Sequence, residues 1–262
     1  MTSLSSDLYY IFLSLRFEFT KHLKRRRLLI VGALAIIVPL LFLISAADTA
    51  DQFASNSMMF MSFLIIISGA MFAGDAISGD FEKKTGLLLF PTPQRRVSIF
   101  AGKYLAALVA TLLVVSVYYT VVTVEIIGLF GARDIPAELA KSYLVAVLYS
   151  CSAVSIIYFF SSVFKKITVS TLIGFFFLLM ILPILSMIMM QLNVEPWFIV
   201  TYPAGLITDV LGATSIGASH GGGPNIDTFQ PTFGVGMIAV IVVYAIIFFL
   251  AGTWIANRKN ME

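Results

Sequence analysis

The chain has 262 residues, of which 59% are hydrophobic and 12% charged, and its mean hydropathy is +0.97. These values lie far from those of a soluble globular domain, and no separate soluble domain fits beside the apolar runs. The single cysteine, Cys151, excludes an internal disulfide and a cysteine-rich metal site. The sequence therefore predicts an all-α integral membrane protein, with residues 1–262 forming one transmembrane domain.

Residues 1–27 predict an amphipathic helix with a basic end. Apolar side chains recur at helical spacing on one face, namely Leu8, Ile11, Phe12, Leu15 and Phe19. Basic residues from Arg16 to Arg27 flank this face, so we expect an interfacial elbow helix that contacts anionic lipid. Binding of nucleic acid by the basic run is disfavoured because an apolar run begins immediately at Leu28. No removable signal peptide is expected.

Six uncharged apolar runs have the length needed to cross a bilayer. They are Leu28–Ala47, the residues between Asp51 and Asp75, Tyr104–Val124 with a continuation to Phe130, Tyr143–Phe164, Ile167–Met190 and Phe233–Ala256. Pro39 is expected to kink the first of them. The short Lys165–Lys166 turn predicts that the fourth and fifth spans form an antiparallel hairpin.

The distribution of Lys and Arg predicts the orientation. With the N-terminus inside, 15 of the 17 Lys and Arg residues fall on the inner side, and only Arg133 and Lys141 fall outside. This asymmetry predicts six spans in the cytoplasmic membrane with both termini cytoplasmic. The net charge of +3 then follows from topology and does not indicate a nucleic-acid partner.

The longest outer segment, residues 191–232, is rich in Gly and Pro but contains an apolar part from Trp197 to Leu211. About fifteen apolar residues are too few to cross a bilayer, so this part predicts a re-entrant or interfacial segment before the sixth span.

The chain contains no phosphate-binding loop, no G-x-S-x-G and no H-E-x-x-H, and the sequence predicts no catalytic, cofactor-binding or metal-binding residue of its own. Glu125 is the one ionisable residue that stands out within a span, and an intramembrane acid is a functional candidate. The alternative is that Glu125 lies close enough to the outer headgroups to be solvated.

One long polar passage, Asp75–Lys103, interrupts the apolar runs. From Ile77 it reads ISGDFEKKTGLLLFPTPQRRVSIFAGK. This run resembles the cytoplasmic segment of ABC-2-type transporter permeases, the membrane subunits of a class of ATP-driven exporters. Asp80 and Glu82 match the family's acidic pair, Pro93 and Arg96 its proline and arginine, and Gly102–Lys103 its last element. Asp80 stands where Glu is usual, and Thr85–Gly86–Leu87 stands where Gly-Thr-Leu is common.

The resemblance implies that Ile77–Gly86, within a cytoplasmic segment of residues 75–96, is a coupling helix between the second and third spans. It would dock on a separate ATPase subunit, which binds and hydrolyses ATP with magnesium. The docking residues it implies are Ile77, Asp80, Phe81, Glu82, Lys83 and Arg96. Ile77 and Phe81 would offer an apolar patch, and Asp80 would pair with Lys83 or Lys84.

The mechanism implied by the resemblance is alternating access, with two ATPase subunits and either a second copy of this chain or a similar permease. The chain itself would not be an enzyme. Two other functions stay open: a non-transporting subunit that transmits ATPase motion, and an ion-coupled carrier, which normally needs more intramembrane charge than Glu125 alone. The sequence does not indicate the substrate.

Overall fold

The computed structural model describes residues 3–24, 26–44, 49–83, 96–131, 133, 135–211 and 235–258. Within these residues the chain is helical and contains no β-strand. The α-helices are α1 (Ser3–Lys24), α2 (Arg27–Phe42), α3 (Ala50–Met58), α4 (Met61–Ala73), α5 (Ser78–Glu82), α6 (Arg96–Leu129), α7 (Glu138–Val163), α8 (Ile167–Phe176), α9 (Leu182–Gln191), α10 (Leu206–Asp209) and α11 (Val235–Arg258).

Five helical stretches are long and apolar enough to cross a membrane, which makes the chain a multi-pass membrane protein. They are Ala50–Glu82, Arg96–Leu129, Glu138–Val163, Ile167–Gln191 and Gly236–Arg258. The remaining predicted span, Leu28–Ala47, contains α2, which has 16 residues and continues past Pro39. At 1.5 Å per residue α2 is about 24 Å long, less than the thickness of a bilayer core. Residues 45–48 lie outside the described part of the chain.

The stretch Ala50–Glu82 is less regular than the uninterrupted span predicted between Asp51 and Asp75. Thr49 caps α3, because its Oγ1 accepts a hydrogen bond from the Gln52 amide at 3.3 Å. The helix then breaks at Met59–Phe60 before α4 begins. Neither residue is Gly or Pro, and nothing in the local sequence accounts for the break.

The predicted hairpin at Lys165–Lys166 is confirmed, since α7 ends at Val163, α8 begins at Ile167 and the two helices pack together. Gly174 allows close approach, because a Cβ there would lie 3.4 Å from the backbone of Ile157. Beyond α8 the helix widens into a π-helical turn, Phe177–Ile181. Pro183 follows this turn and has no N–H for a regular helical bond, a common cause of such a distortion.

Helix α7 lies at the centre of the bundle and packs against α4, α6, α8 and α11. Its buried face carries small polar side chains, which let neighbouring helices approach closely. They are Ser142, Ser150, Ser152, Ser155, Ser161 and Ser162. In contrast, the continuous helix α8–α9 and helix α11 keep most of their apolar surface exposed within this single chain.

Residues 192–211 of the predicted outer segment lie against the bundle rather than apart from it. The segment forms a short 3₁₀ turn, Pro203–Gly205, and then α10. Ile199, Val200 and Ile207 are buried, and the Ser142 hydroxyl of α7 donates to the Ile207 carbonyl at 2.6 Å. These are short packed turns, and the rest of the predicted outer segment, 212–232, lies outside the described residues.

Candidate functional site

The charged helix termini meet at one end of the bundle, which we call the basic end. Consecutive long helices alternate in direction, so the end of α1, the start of α2, α5, the start of α6, the α7–α8 turn and the end of α11 lie together. The described basic residues there are Lys21, Lys24, Arg26, Arg27, Lys83, Arg96, Lys103, Lys165, Lys166 and Arg258. The segment that resembles a coupling helix therefore lies at this end.

Lys103, on the second turn of α6, is the centre of this site. Its ammonium group lies 2.5 Å from Asp80 Oδ2 of α5 and 3.0 Å from Glu18 Oε1 of α1, and it donates to the Ala76 carbonyl at 3.1 Å. An ammonium has three donors, so all of its hydrogen-bonding capacity is used. With its side chain only 3% exposed, Lys103 joins α1, α5 and α6 in the protein interior.

Glu18 completes the buried ion network from α1. Its second oxygen, Oε2, accepts from Lys21 at 2.7 Å. Burial by itself would raise the pKa of the Glu18 carboxyl, but the charges and hydrogen bonds of Lys103 and Lys21 lower that pKa to about 2. Glu18 is therefore ionised at neutral pH, as its partners require.

A second ion pair lies beside the first. Arg27, at the start of α2, donates to Asp75 Oδ2 at 2.7 Å and to the Met71 carbonyl at 3.1 Å. His22 is buried next to this pair, with its ring 5.2 Å from the Phe72 ring. Burial lowers the pKa of His22 in spite of the nearby carboxylates, so the imidazole is neutral at neutral pH.

The segment that leads into α5 is also attached to the α7–α8 hairpin. The Ser161 hydroxyl oxygen of α7 accepts from the amides of Ile77 and Ser78 at 3.0 and 3.1 Å. From α8, the Ser170 hydroxyl donates to the Gly74 carbonyl at 3.0 Å. These bonds satisfy backbone groups that the turn between α4 and α5 leaves open.

Glu82 makes the remaining attachment, at the start of α8. Its Oε2 accepts from the Ile167 amide at 2.6 Å, so the carboxylate caps the N-terminus of α8 from another helix. A negative charge is favourable there because the first amides of a helix are unpaired and carry the positive end of the helix dipole. Through these contacts α5 and its preceding turn bind to α6, α7 and α8, and Lys103 links them to Glu18 of α1.

The structure separates the predicted docking residues into two groups. Ile77 is 0% exposed and Asp80 is buried against Lys103. The prediction that Ile77 forms an apolar surface patch with Phe81 is therefore wrong, because the Ile77 side chain packs in the core. Phe81 is half-buried, whereas Glu82, Lys83 and Arg96 are exposed. Residues 84–95, including Pro93 and the end of the predicted coupling helix at Gly86, lie outside the described residues.

Sequence reasoning missed the contribution of α1 to this site. Ser14, Glu18 and His22 recur every four residues and face the bundle, while Leu8 and Phe12 of the predicted apolar face are exposed. Helix α1 crosses α6 at Gly102, where a Cβ would lie 2.5 Å from Ser14 Cβ. The available signal was the spacing of four residues that places the acid Glu18 on one helix face with Ser14 and His22.

Glu125, the other predicted site residue, lies far from the basic end, one turn before α6 ends at Leu129. It is 8% exposed and faces the protein, between the fully buried Val122 and Ile126. Solvation by outer headgroups, the alternative considered from sequence, does not describe this position, because the bundle covers the side chain.

Fold and site together define a multi-pass helical membrane protein with a buried ion network at its basic end. No group of three or more His, Cys, Asp or Glu side chains able to hold a metal ion occurs in the described ranges. Residues 26–261 match the family model described as "Protein of unknown function (DUF2705)", so the chain belongs to this family. No curated protein was found to match the chain.

Proposed function

We propose that this chain is the membrane permease subunit of an ATP-driven ABC exporter and that α5 is its coupling helix. The ATP and magnesium sites belong to a separate ATPase subunit, and the chain itself catalyses no reaction. The substrate class is left open. The proposal rests on the resemblance of Asp75–Lys103 to ABC-2-type permeases and on the attachment of α5 within the bundle.

The observation that carries the proposal is that one short helix at the basic end contacts α6, α7 and α8 and is linked to α1 through Lys103. A coupling element must present a surface to its partner and transmit movement to the spans. Phe81, Glu82 and Lys83 supply such a surface, while Asp80 and the backbone of Ile77 and Ser78 hold α5 against α6 and α7. Displacement of α5 therefore displaces these helices as well.

The proposed topology has six spans in the cytoplasmic membrane, with α2 as the first and both termini cytoplasmic. The positive charges at the basic end support this orientation. Helix α1 then lies in the inner headgroup layer, which suits its exposed Leu8, Tyr9, Phe12 and Phe17. Residues 192–211 form the packed part of the re-entrant segment.

The proposed mechanism is alternating access between two permease chains, either two copies of this one or this one and a similar partner. Two ATPase subunits close on binding ATP and push on α5 in each permease. Their binding energy must differ between the inward-facing and outward-facing states to change the populations of these states. The exposed apolar faces of α8–α9 and α11 are available for lipid and for the second permease.

A charge reversal on α5 tests this proposal. The chain is co-expressed with the candidate ABC ATPases of its own genome, and the variant combines Phe81→Ala with Lys83→Glu. We expect co-purification of the ATPase to fall about tenfold or more, as for loss of a central interface contact. Lys141→Glu, an exposed lysine at the opposite end, is the matched control. Equal ATPase recovery with the variant and the wild type, both correctly inserted, would contradict the proposal.

Glu125 favours a second candidate, an ion-coupled carrier, because a buried acid in a span is typical of such proteins. Reconstituted vesicles distinguish the two functions. Solute movement that needs ATP and the ATPase subunit supports the exporter. Movement driven by a proton gradient without nucleotide supports the carrier, and ATP hydrolysis without any solute movement supports a subunit that only transmits motion.

A further inference from the structure

Glu125 lies on the face of α6 that contacts α3. Tyr118, two turns earlier on the same face of α6, donates its hydroxyl to the Ser57 carbonyl of α3 at 2.5 Å. Phe130, beyond Glu125, lies against Phe53 of α3, with ring centroids 6.2 Å apart. Glu125 therefore lies between two contacts that join these helices, with a buried side chain.

Neither carboxylate oxygen of Glu125 has a hydrogen-bond partner among the described residues, although both are inaccessible to solvent. The hydroxyls before Glu125 on α6 are engaged elsewhere: Tyr118 donates to the Ser57 carbonyl, Tyr119 shares a hydrogen bond with Ser142 at 2.7 Å, and Thr123 donates to the Tyr119 carbonyl at 2.7 Å. Thus the site has oxygen acceptors but no donor that serves them.

Basic side chains are scarce at this end of the bundle. Most Lys, Arg and His residues of the sequence lie in 16–27, 83–103, 165–166 and 258–259. The others are Arg133, Lys141 and His220. Arg133 and Lys141 are exposed, and the Lys141 ammonium lies 3.8 Å from Glu138. His220 lies outside the described residues. Neither described cation forms an ion pair with Glu125.

Other ionisable groups lie near the outer half of α6, but none of the described ones forms a hydrogen bond with Glu125. Helices α2 and α4 supply none there, and α1 packs against α6 at the basic end. The remaining groups are Asp51 on α3, Glu138, Lys141, Tyr143 and Tyr149 on α7, Tyr244 on α11, Tyr118 and Tyr119 on α6 itself, and Glu195, Tyr202 and Asp209 in the adjoining segment.

An ionised carboxylate in this position would be desolvated without hydrogen bonds or a counter-ion, which is strongly unfavourable. A protonated carboxyl avoids that cost. We propose that Glu125 is a proton-binding site: its carboxyl holds a proton while α3 packs on α6 and releases it when this contact opens. Proton binding then favours the closed α3–α6 contact, independently of whether the chain works with an ATPase.

Melting curves of the purified full-length protein test the proposal. Ionisation at higher pH places a charge in dry surroundings, so the wild type must lose stability as pH rises, while Glu125→Gln cannot ionise. Between about pH 5.5 and about pH 8.5 we expect the wild-type melting temperature to fall by several degrees relative to the variant. Glu138→Gln, a glutamate substitution at a half-exposed site of the same end, should show no such trend. Parallel curves for wild type and Glu125→Gln would overturn the assignment.

Dicyclohexylcarbodiimide supplies a second measurement, because it adds to protonated carboxyl groups in apolar surroundings. The acid proton moves to a carbodiimide nitrogen while the carboxyl oxygen bonds to the central carbon, and rearrangement leaves a stable N-acylurea. Peptide mass spectrometry should find this adduct on Glu125, with a yield that falls as pH rises. An equal yield at both pH limits would contradict reversible proton binding.

A metal cation is the other occupant that a carboxylate accepts. Replacing choline chloride by sodium chloride at constant ionic strength distinguishes the two. The proton assignment predicts that wild type and Glu125→Gln respond equally to this exchange. If sodium selectively raises the melting temperature of the wild type, the site holds a metal ion and the proton assignment is wrong.

Discussion

The buried ionisable groups at the two ends of the bundle differ in their partners. At the basic end, Lys103 lies between Glu18 and Asp80, and each partner is held by a separate helix. In the outer half, Glu125 has neither a cation nor a hydrogen-bond donor among the described residues. A paired charge fixes the relative position of the helices that supply it, whereas an unpaired carboxyl makes a helix contact depend on its protonation.

This difference indicates which helices are expected to move together. The network at Lys103 joins α1, α5 and α6, and Ser161 and Glu82 extend the attachment to the α7–α8 hairpin. The α3–α6 contact near Glu125 consists of the Tyr118 hydrogen bond to the Ser57 carbonyl and the ring contact between Phe53 and Phe130. Movement imposed at the basic end would therefore be carried by a stiff unit and accommodated in the outer half.

Removing the charge of Lys103 would leave buried carboxylates without a cation at the basic end, as at Glu125. We expect this change to cause the largest loss of stability. Lys103→Met leaves Glu18 and Asp80 as buried carboxylates without their shared cation, which should destabilise the protein by about 3–5 kcal/mol. Thermal unfolding in detergent measures the loss. Lys141→Met, which removes an exposed ion pair, should cost less than about 1 kcal/mol. Similar losses for both variants would show that the buried network contributes little.

Acidification probes the same network without a substitution. The folded-state pKa of Glu18 is about 2, below its ordinary value of 4.5, so its contribution to stability is present above pH 4.5 and lost as pH falls towards 2. The loss attributable to Glu18 should be on the order of 3 kcal/mol. The difference in melting temperature between wild type and Glu18→Gln should therefore shrink over this interval. A constant difference would contradict the ionised network.

Gly102→Ala tests whether the position of α1 depends on the close crossing with α6. The added Cβ would lie 2.5 Å from Ser14 Cβ and 2.8 Å from the Ile11 carbonyl oxygen, so α1 must shift, at a cost of about 1–3 kcal/mol. Gly128→Ala is the matched control on the same helix, with no atom within 4 Å of the new methyl group. That change should be neutral or stabilise α6 by up to about 1 kcal/mol. Equal changes in stability for the two variants would contradict a close contact between α1 and Gly102.

Much of the fold could be predicted because apolar run length and charge depend on local sequence. Five of the predicted runs correspond to helices of spanning length, and the Lys165–Lys166 hairpin follows from a turn too short for any other arrangement. The break at Met59–Phe60 could not be predicted, since neither residue is Gly or Pro and nothing in the local sequence accounts for it. Likewise, the Phe177–Ile181 π-turn precedes Pro183, but its type depends on the surrounding packing.

The candidate site was predicted in location but not in detail. Periodicity and charge identified α5, yet they do not say which face of a five-residue helix is buried, so Ile77 and Asp80 were assigned to the partner. The Lys103–Asp80 pair joins residues 23 apart, and Glu18 reaches Lys103 from another helix. Such pairs depend on tertiary contacts that a single sequence does not record.

Glu82 supplies the smallest expected effect and separates two roles of α5. As a cap on the Ile167 amide it stabilises the start of α8 by about 0.5–1 kcal/mol, so Glu82→Gln should lower the melting temperature only slightly. Because glutamine keeps an acceptor oxygen, Glu82→Ala should cost more than Glu82→Gln. If α5 is a coupling helix, both variants should also reduce ATP-driven solute transport. This reduction should be larger than their small loss of stability explains. A loss of stability as large as that of Lys103→Met would instead make Glu82 part of the buried network.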